Sequence, residues 1–333
     1  MFRRLVMMTA IWLVGCLIPA PTACGWVYRN QPHDGMETYE TSQAAQASAA
    51  QRASLLGYCD KKGEEWSAGG EWSRPEGDAA KRLVSDLESC GLIYGVDHQR
   101  EKSVECFQRS LDVSARLGDL KQKGKTLYHL GIVHNTWGQA VPALDYFKQT
   151  VDVSAGSGDL VTKAQALNLV GMIHMLWAQY GKALEAYREA EIILAKQPDP
   201  SAEVLLLDNI GLLYEAWGQN DKAIELYEKS MAVKKRSGMT GSEVASCVML
   251  GRTYYSSGDL LKAMGLFERG LEIAKRHGYP SNTIYDIIGN VFLDQGQMGS
   301  AEEYLKKGGY WSSLGRLYLS KQEFTKAGEY YEK

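Results

Sequence analysis

The feature of this chain that most constrains its fold is a repeat with a period of 40 residues. An apolar residue or cysteine followed by glycine recurs at that step, and later at steps of 38 and 26. A fixed period of this size is typical of solenoids, in which each unit stacks only on its neighbours. The period therefore excludes an interpretation as two independent globular domains. The recurring pairs are Cys90-Gly91, Leu130-Gly131, Val170-Gly171, Ile210-Gly211, Leu250-Gly251, Ile288-Gly289 and Leu314-Gly315.

The apolar pattern inside each unit predicts two helices. In the third unit, Leu167, Val170 and Gly171 share one helical face with His174 and Trp177, and this stretch is helix A. After a short turn, helix B brings an alanine that is followed four residues later by an aromatic residue. Small residues on both helices let the two backbones approach closely, so we expect antiparallel helix pairs. The alanine and aromatic positions are Ala143 and Phe147, Ala183 and Tyr187, Ala223 and Tyr227, and Ala263 and Phe267.

The order of small and large residues resembles that of the tetratricopeptide repeat. The resemblance covers residues 78–333 as about seven repeats, the last incomplete, and it implies an all-α superhelix of antiparallel helix pairs. The period is longer than the family's common period of about 34 residues, and is similar to that of long-helix scaffold proteins that bind peptides. His98 replaces the turn glycine in the first unit. The fourth unit carries the pattern as Leu207, Ile210, Gly211, Tyr214, Gly218, Ala223, Tyr227 and Ser230.

The N-terminal residues 1–25 predict a secretory signal peptide. Two arginines precede an apolar run over residues 5–18, which is too short to span a bilayer as a stable helix. The stretch Leu13-Val14-Gly15-Cys16 resembles a bacterial lipobox and would place a lipid on Cys16. The small residues that follow, up to Gly25, favour ordinary cleavage equally well, and an uncleaved anchor is the less favoured alternative. Export predicts a location in the periplasm or at the outer membrane.

The segment 26–77 does not repeat and is expected to be partly loop. Ala44 to Leu56 predicts a helix, Gly57 to Gly77 predicts a loop, and Asp78 is the expected N-cap of the first repeat helix. The three tryptophans of this segment, Trp26, Trp66 and Trp72, would cover the apolar end of the array.

The cysteines would lie in an oxidising compartment after export. Cys59, Cys90, Cys106 and Cys247 could then form disulfides, and Cys90 and Cys106 are expected to be neighbours on consecutive helices. Buried free thiols that fill apolar positions are the favoured interpretation. The chain has no Cys-x-x-Cys and no metal-ligand cluster in its sequence, so no metal site is predicted.

Charge and motif content argue against nucleic acids and nucleotides as ligands. With 37 basic and 40 acidic residues, the chain has no positive excess to neutralise a phosphate backbone. The stretch Lys123-Gly124-Lys125-Thr126 resembles the end of a phosphate-binding loop, but it opens a predicted helix with no buried strand ahead of it. No cofactor is predicted.

The histidines and turn tryptophans are assigned to packing. His134 and His174 occupy a position that tyrosine fills in the sister units, and His129 has no partner cluster in the sequence. No hydrolase, zinc-peptidase or dinucleotide motif is present, so we predict no catalytic residue and no enzyme activity. Tryptophans at a shared repeat position are expected to cover the end of helix A, and they are Trp137, Trp177 and Trp217.

The remaining face of helix A is the candidate binding site. The family resemblance implies that helix A lines an inner groove, through positions six and three before the glycine and one, four and five after it. Amide, methionine and aromatic side chains there suit an extended peptide, with a merely solvated face as the alternative. We expect Tyr128, Arg252 and Tyr255 to contribute most, and their truncation to spare the fold. The candidates are Lys125, Tyr128, Asn135, Gln165, Asn168, Met172, Met175, Asp208, Glu215, Arg252 and Tyr255.

The sequence therefore predicts a scaffold of the cell envelope that binds a protein or peptide, with no membrane contact except a tether at its N-terminus. The alternative is the sensing region of a larger exported enzyme, such as a caspase-like peptidase. That alternative rests on an expected uncovered apolar face in the last repeat, formed by Leu317, Tyr318, Tyr330 and Tyr331.

Overall fold

The computed structural model describes residues 54, 56–61, 77–239 and 243–332. Within these ranges the chain is helical, with short turns and no strand, which confirms the all-α prediction. Residues 54 and 56–61 are helical and precede fourteen numbered helices. The predicted signal peptide, Cys16, Trp26, Trp66 and Trp72 lie outside the described residues. The helices are α1 Gly77–Val96, α2 Arg100–Leu117, α3 Leu120–Thr136, α4 Ala140–Ser157, α5 Leu160–Leu176, α6 Tyr180–Lys196, α7 Pro200–Ala216, α8 Asn220–Arg236, α9 Glu243–Ser256, α10 Leu260–His277, α11 Asn282–Asp294, α12 Met298–Gly308, α13 Trp311–Ser320 and α14 Phe324–Tyr331.

The chain divides into two compact units, Met1–Leu213 and Tyr214–Lys333. In the first unit α1 packs on α2, α3 on α4 and α5 on α6; in the second α9 packs on α10, α11 on α12 and α13 on α14. Odd-numbered helices are the predicted A helices and even-numbered helices the B helices. Successive pairs also pack on each other within a unit, as α4 does on α5 and α12 on α13.

The closest approach of helices A and B lies at the predicted glycine and aromatic positions. A Cβ added to Gly131 would lie 2.5 Å from Cε1 of Phe147, and one added to Gly251 would lie 2.6 Å from Cε1 of Phe267. Both phenylalanines are completely buried. Real Cβ atoms do not approach other atoms this closely. Each of these positions must therefore be glycine, because a phenylalanine ring packs directly against its Cα. The predicted register of the helix pairs is confirmed.

The turn between helices A and B needs a left-handed backbone. At the end of α3, the N–H of Gly138 donates to the carbonyl of Asn135 at 3.0 Å and that of Gln139 donates to His134 at 2.9 Å. This is the Schellman pattern, which ends a helix with one residue at positive φ. Gly138 has φ 72°, but the same position is Ala178 at 56° in the next repeat and His98 at 61° in the first.

We predict that Ala178→Gly stabilises the chain by about 1 kcal/mol, since a left-handed residue with a Cβ costs roughly 1–2 kcal/mol and glycine does not. Gly138→Ala at the matching turn should destabilise it by a similar amount. Urea unfolding of both variants measures the two changes. A lower stability for Ala178→Gly would contradict the prediction.

The N-terminal helical segment 56–61 lies where a loop was predicted for residues 57–61. It is attached to α1 by a disulfide between Cys59 and Cys90. The Asp60 carboxylate accepts hydrogen bonds from the Tyr94 hydroxyl at 2.9 Å and from Lys102 Nζ at 2.6 Å. These two bonds hold the pKa of Asp60 below its ordinary value. The segment is therefore bound to the first helix pair by a covalent bond and by polar contacts.

The disulfide corrects the prediction that the cysteines are free. The prediction holds for Cys106 and Cys247, which are buried free thiols, and burial raises the pKa of Cys106 to about 12. It is wrong for Cys59 and Cys90, because the partner of Cys90 comes from the short helical segment and not from α2. The predicted cap Asp78 lies inside the first turn, since α1 begins at Gly77.

A buried polar cluster joins the first two helix pairs. Glu88 of α1 contacts His129 Nδ1 at 2.5 Å and accepts hydrogen bonds from Ser110 and Thr126, each at 2.7 Å. The prediction that His129 has no partner is wrong, because Glu88 lies 41 residues earlier in the chain. Burial acts to raise the pKa of Glu88, but attraction to His129 and the three hydrogen bonds outweigh it and lower the pKa.

The last repeat differs from its predicted exposure. Leu317 is completely buried and Tyr318 is 5% exposed, so the prediction that both lie on an uncovered face is wrong. Tyr318 stacks on Tyr330 with ring centroids 5.2 Å apart. Only Tyr331 of the predicted set is largely exposed, at 52%. The helix pair α13 and α14 therefore buries Leu317 and Tyr318, whereas Leu319 and Phe324 are exposed at 44% and 69%.

Candidate binding faces on the A helices

In the first unit, the predicted groove residues divide by burial. Tyr128, Asn135, Asn168, Met172 and Asp208 are buried. The other three, Lys125, Gln165 and Met175, are partly exposed. Only this second group offers a partner substantial side-chain surface.

Tyr128 and Met172 belong to the core of the first unit. Both lie in one apolar cluster with Phe147, and the Tyr128 and Phe147 rings are 6.0 Å apart at a tilt of 54°. The expectation that truncating Tyr128 spares the fold is therefore wrong. A side chain three residues before the glycine also reaches the neighbouring helix pair, because A helices of successive repeats are in contact, as α3 and α5 are.

Buried amides connect α5 to α7 within the same face. The Asn209 side chain donates to Asn168 Oδ1 at 3.0 Å, and both residues are at most 5% exposed. Buried amides need partners, so this bond fixes the orientation of both side chains. Asn209 was not predicted, although it directly follows the predicted Asp208 in the sequence.

In the second unit, the three predicted residues Glu215, Arg252 and Tyr255 are all partly exposed. Burial raises the pKa of Glu215. Attraction to Arg252 and hydrogen bonds, one of them donated by the Tyr227 hydroxyl at 3.1 Å, act to lower this pKa but do not outweigh burial. The Tyr255 hydroxyl donates to Asp294 Oδ2 at 3.0 Å. This face therefore presents an arginine and a tyrosine whose neighbours hold them in place.

The structure adds two residues to the face of the second unit. Arg316 donates to Asp294 Oδ1 at 3.0 Å, so Asp294 of α11 connects Tyr255 of α9 to Arg316 of α13. Both added residues obey the predicted offsets, five after Gly289 and one after Gly315. They were missed because the offsets were applied to the second to fifth repeats only.

The packing predicted for the turn residues is found only in part. His134 stacks on Tyr146 at 5.2 Å and contacts Gln139 Oε1 at 2.6 Å, so its packing role is confirmed. Trp177 and Trp217 contact the last turn of their A helices, through His174 and Tyr214 respectively. They nevertheless stay 39% and 45% exposed, so they cover the helix ends incompletely.

The described residues can be considered as metal ligands and as membrane-spanning helices. No group of three or more His, Cys, Asp or Glu side chains in the described ranges is placed to hold a metal ion. Among the same residues, no helix combines the length and the apolar character needed to cross a bilayer. The segment Lys123 to Thr126 lies inside α3, and Thr126 bonds to Glu88.

Comparison with known families agrees with this architecture. Models described as Tetratricopeptide repeat match residues 162–236, 201–276 and 309–333. These residues form tetratricopeptide repeats. The matched ranges include α5 to α10 and the last helix pair. No curated protein matches the chain at a significant level.

Solved structures share the tetratricopeptide-repeat fold of this chain at low sequence identity. The apo form of the quorum sensor NprR from B. thuringiensis has a TM-score of 0.60 and 14% identity, covering 89% of this chain and 86% of that one. A Rap protein complexed with competence and sporulation factor has a TM-score of 0.57 and 14% identity, covering 75% and 73%. BtubC from P. vanneervenii has a TM-score of 0.55 and 17% identity, covering 74% and 94%.

Proposed function

We propose that this chain is a scaffold that binds a peptide or protein partner on the exposed faces of its A helices and performs no catalysis. The observation that carries the proposal is the arrangement of polar side chains on these faces. In the second unit, three consecutive A helices contribute Tyr255, Asp294 and Arg316, which are linked by hydrogen bonds at 3.0 Å. In the first unit the partly exposed side chains are a charged one, Lys125, an amide, Gln165, and a flexible apolar one, Met175.

Two further points support peptide binding. Tyrosine and arginine are the residue types that concentrate binding energy at interfaces, and Arg252 and Tyr255 are partly exposed neighbours on one helix. A protein of the same fold, Rap, was solved in complex with competence and sporulation factor. The fold is thus compatible with holding a ligand of that kind.

We predict that Arg252→Ala combined with Tyr255→Ala weakens a bound peptide at least ~10-fold, since each hot-spot truncation typically costs more than about 1 kcal/mol. A 12-residue random peptide library displayed on phage supplies the probe, and calorimetry of an enriched peptide measures the affinity. Gln165→Ala with Met175→Ala tests the first unit in the same way.

The matched control is Lys182→Ala with Glu185→Ala, which removes two exposed side chains from the B helix α6. Melting temperatures establish that every variant is folded. The control should retain the wild-type affinity. Unchanged affinity in both A-helix variants would place the binding site elsewhere on the chain.

We also propose that the chain is exported to the cell envelope. The predicted signal over residues 1–25 motivates this, and the Cys59–Cys90 disulfide supports it, because disulfides persist in oxidising compartments. Mass spectrometry of the mature N-terminus tests both processing routes. A cytoplasmic chain that retains Met1 would contradict the proposal.

A further inference from the structure

One edge of the second unit collects basic side chains. It is formed where each B helix ends and leads into the next A helix. The last turns of α8, α10 and α12 each contain two exposed lysine or arginine side chains. Because B helices of successive repeats run in the same direction, their C-terminal ends lie along one edge. We call this the basic edge, and its cations are Lys235, Arg236, Lys275, Arg276, Lys306 and Lys307.

In the first unit the B helices α2 and α6 each have one basic residue in the last turn, Arg116 and Lys196, and the linkers that follow the B helices are acidic. There the A helices begin at Asp119, Asp159 and Asp199, whose carboxylates accept first-turn N–H groups at 2.9, 3.3 and 2.7 Å. In the second unit the N-caps of α11 and α13 are Ser281 and Tyr310, neither of which caps with its side chain. The linkers of the basic edge thus lack the carboxylates that the first unit uses.

Carboxylates near the basic edge compensate it in part. Glu272 lies 2.6 Å from Arg276, Glu302 lies 2.7 Å from Lys306 and Glu303 lies 2.6 Å from Lys307. The three glutamates lie one turn further from the helix ends than the cations they contact. Exposed ion pairs of this kind contribute little to folding stability. With Glu243 at the start of α9, four carboxylates oppose the six cations, and the next B helix, α14, ends with the exposed acids Glu329 and Glu332. At the ends of α10 and α12 the cations nevertheless lie closer to the helix terminus than the carboxylates that pair with them.

Exposed aromatic residues stand on the same edge. Tyr279, in the linker after α10, is 40% exposed and stacks on His277 at 5.7 Å. Trp311, the first residue of α13, is 46% exposed and stacks on Tyr330 with ring centroids 5.9 Å apart. Attraction to helix carbonyls accounts for a cation at a helix end, but it does not account for an exposed aromatic ring such as Tyr279 in the linker that follows. Tyrosine and tryptophan between basic residues are the side chains that settle at a membrane interface.

We propose that the basic edge binds an anionic lipid surface, with the lysines and arginines facing the headgroups and Tyr279 and Trp311 entering the interfacial layer. One ring in the linker before α11 and one at the start of α13 fit a broad surface better than a narrow peptide. This contact leaves the A-helix faces accessible to a partner. It goes beyond the proposed function and beyond a tether at the N-terminus.

The test measures binding of the full chain to sedimented vesicles of phosphatidylcholine with 30% phosphatidylglycerol and to vesicles of phosphatidylcholine alone. The ratio of the two partition coefficients removes any contribution from the apolar N-terminal segment that does not depend on lipid charge. We expect a ratio well above one that falls at high salt. Each cation near an anionic surface raises the partition coefficient up to about five-fold. The triple variant Lys235→Gln, Lys275→Gln and Arg276→Gln should therefore lower the ratio at least ~10-fold.

The control Lys121→Gln with Lys148→Gln and Lys182→Gln removes the same charge from exposed positions of the first unit and should leave the ratio within about two-fold. Tyr279→Ser should weaken binding to the anionic vesicles. Hydrogen exchange should slow at residues 278–281 when anionic vesicles are added.

Three results would overturn the proposal: a ratio near one, an equal loss in the control, or protection absent from residues 278–281. Binding to immobilised polyglutamate that depends on the same three cations, without any preference for anionic vesicles, would assign the edge to an acidic polypeptide instead. Melting curves that match the wild type establish that each variant is folded. None of these results depends on peptide binding to the A helices.

Discussion

Replacing Gly171 by leucine or Ala183 by arginine should lower the free energy of unfolding by more than about 3 kcal/mol. Gly171 lies against the ring of Tyr187, and even one added carbon would overlap that ring. Tyr187 and Ala183 are completely buried, so neither has room to move aside. Overpacking a core by a methylene or two typically costs about 1–3 kcal/mol, and these changes add more atoms than that.

Gly181 supplies the matched control because it is a helical glycine of the same repeat with no atom within 4 Å of an added Cβ. Gly181→Ala should leave stability unchanged or raise it by up to about 1 kcal/mol through helix propensity. Urea unfolding followed by circular dichroism measures all three variants. If Gly171→Leu unfolds at the wild-type urea concentration, the assigned contact between helices A and B is incorrect.

Replacing Glu88 by alanine should destabilise the first unit by about 3–5 kcal/mol at neutral pH, the typical cost of removing one partner of a buried ion pair. The substitution leaves His129, Ser110 and Thr126 without the carboxylate that each of them contacts. Glu88 is 8% exposed and His129 is 7% exposed, so water cannot readily replace the lost contacts. Glu105→Ala removes an exposed carboxylate paired with Arg109 on α2 and should cost less than about 1 kcal/mol.

The effect of Glu88→Ala should depend on pH in a defined direction. The pKa of Glu88 is lower in the folded chain than its ordinary value of 4.5. Its stabilising contribution is therefore fully present above pH 4.5 and is lost as the pH falls through the lower, folded value. The difference in unfolding free energy between the wild type and Glu88→Ala should shrink from pH 7 toward pH 3. A difference that stays constant over this range would show that the pKa of Glu88 does not shift on folding.

The groove candidates show how far repeat offsets can predict a binding face. The offsets place Arg252 and Tyr255 on a partly exposed surface, and they would also have found Asp294 and Arg316 if applied to the later repeats. The same offsets assigned Tyr128 to the groove, although it packs against Phe147 in the core. An offset defines a direction around one helix, whereas burial depends on the neighbouring helix pair.

Several features of this chain follow from its sequence alone. The helix pairs, their register and the contact of Gly131 with Phe147 are local consequences of a 3.6-residue apolar period and of small residues at fixed positions. Repetition every 40 residues strengthens each of these signals, because the same pattern recurs in successive units. The positive φ at Gly138 and its equivalents likewise follows from the turn that joins two antiparallel helices.

Other features were decided only by the tertiary structure. Cys59 pairs with Cys90, Glu88 meets His129, and Asn209 bonds to Asn168, at separations of 31, 41 and 41 residues. The Glu88–His129 and Asn168–Asn209 pairs share one pair of repeat positions, three residues before the glycine of one repeat and two before that of a following repeat, but the residue types at these positions differ from unit to unit. Each of the three contacts depends on the distance between side chains of different helices once the helices have packed. Periodicity specifies which face of a helix is buried, but the identity of the atoms that meet there is set by packing in three dimensions.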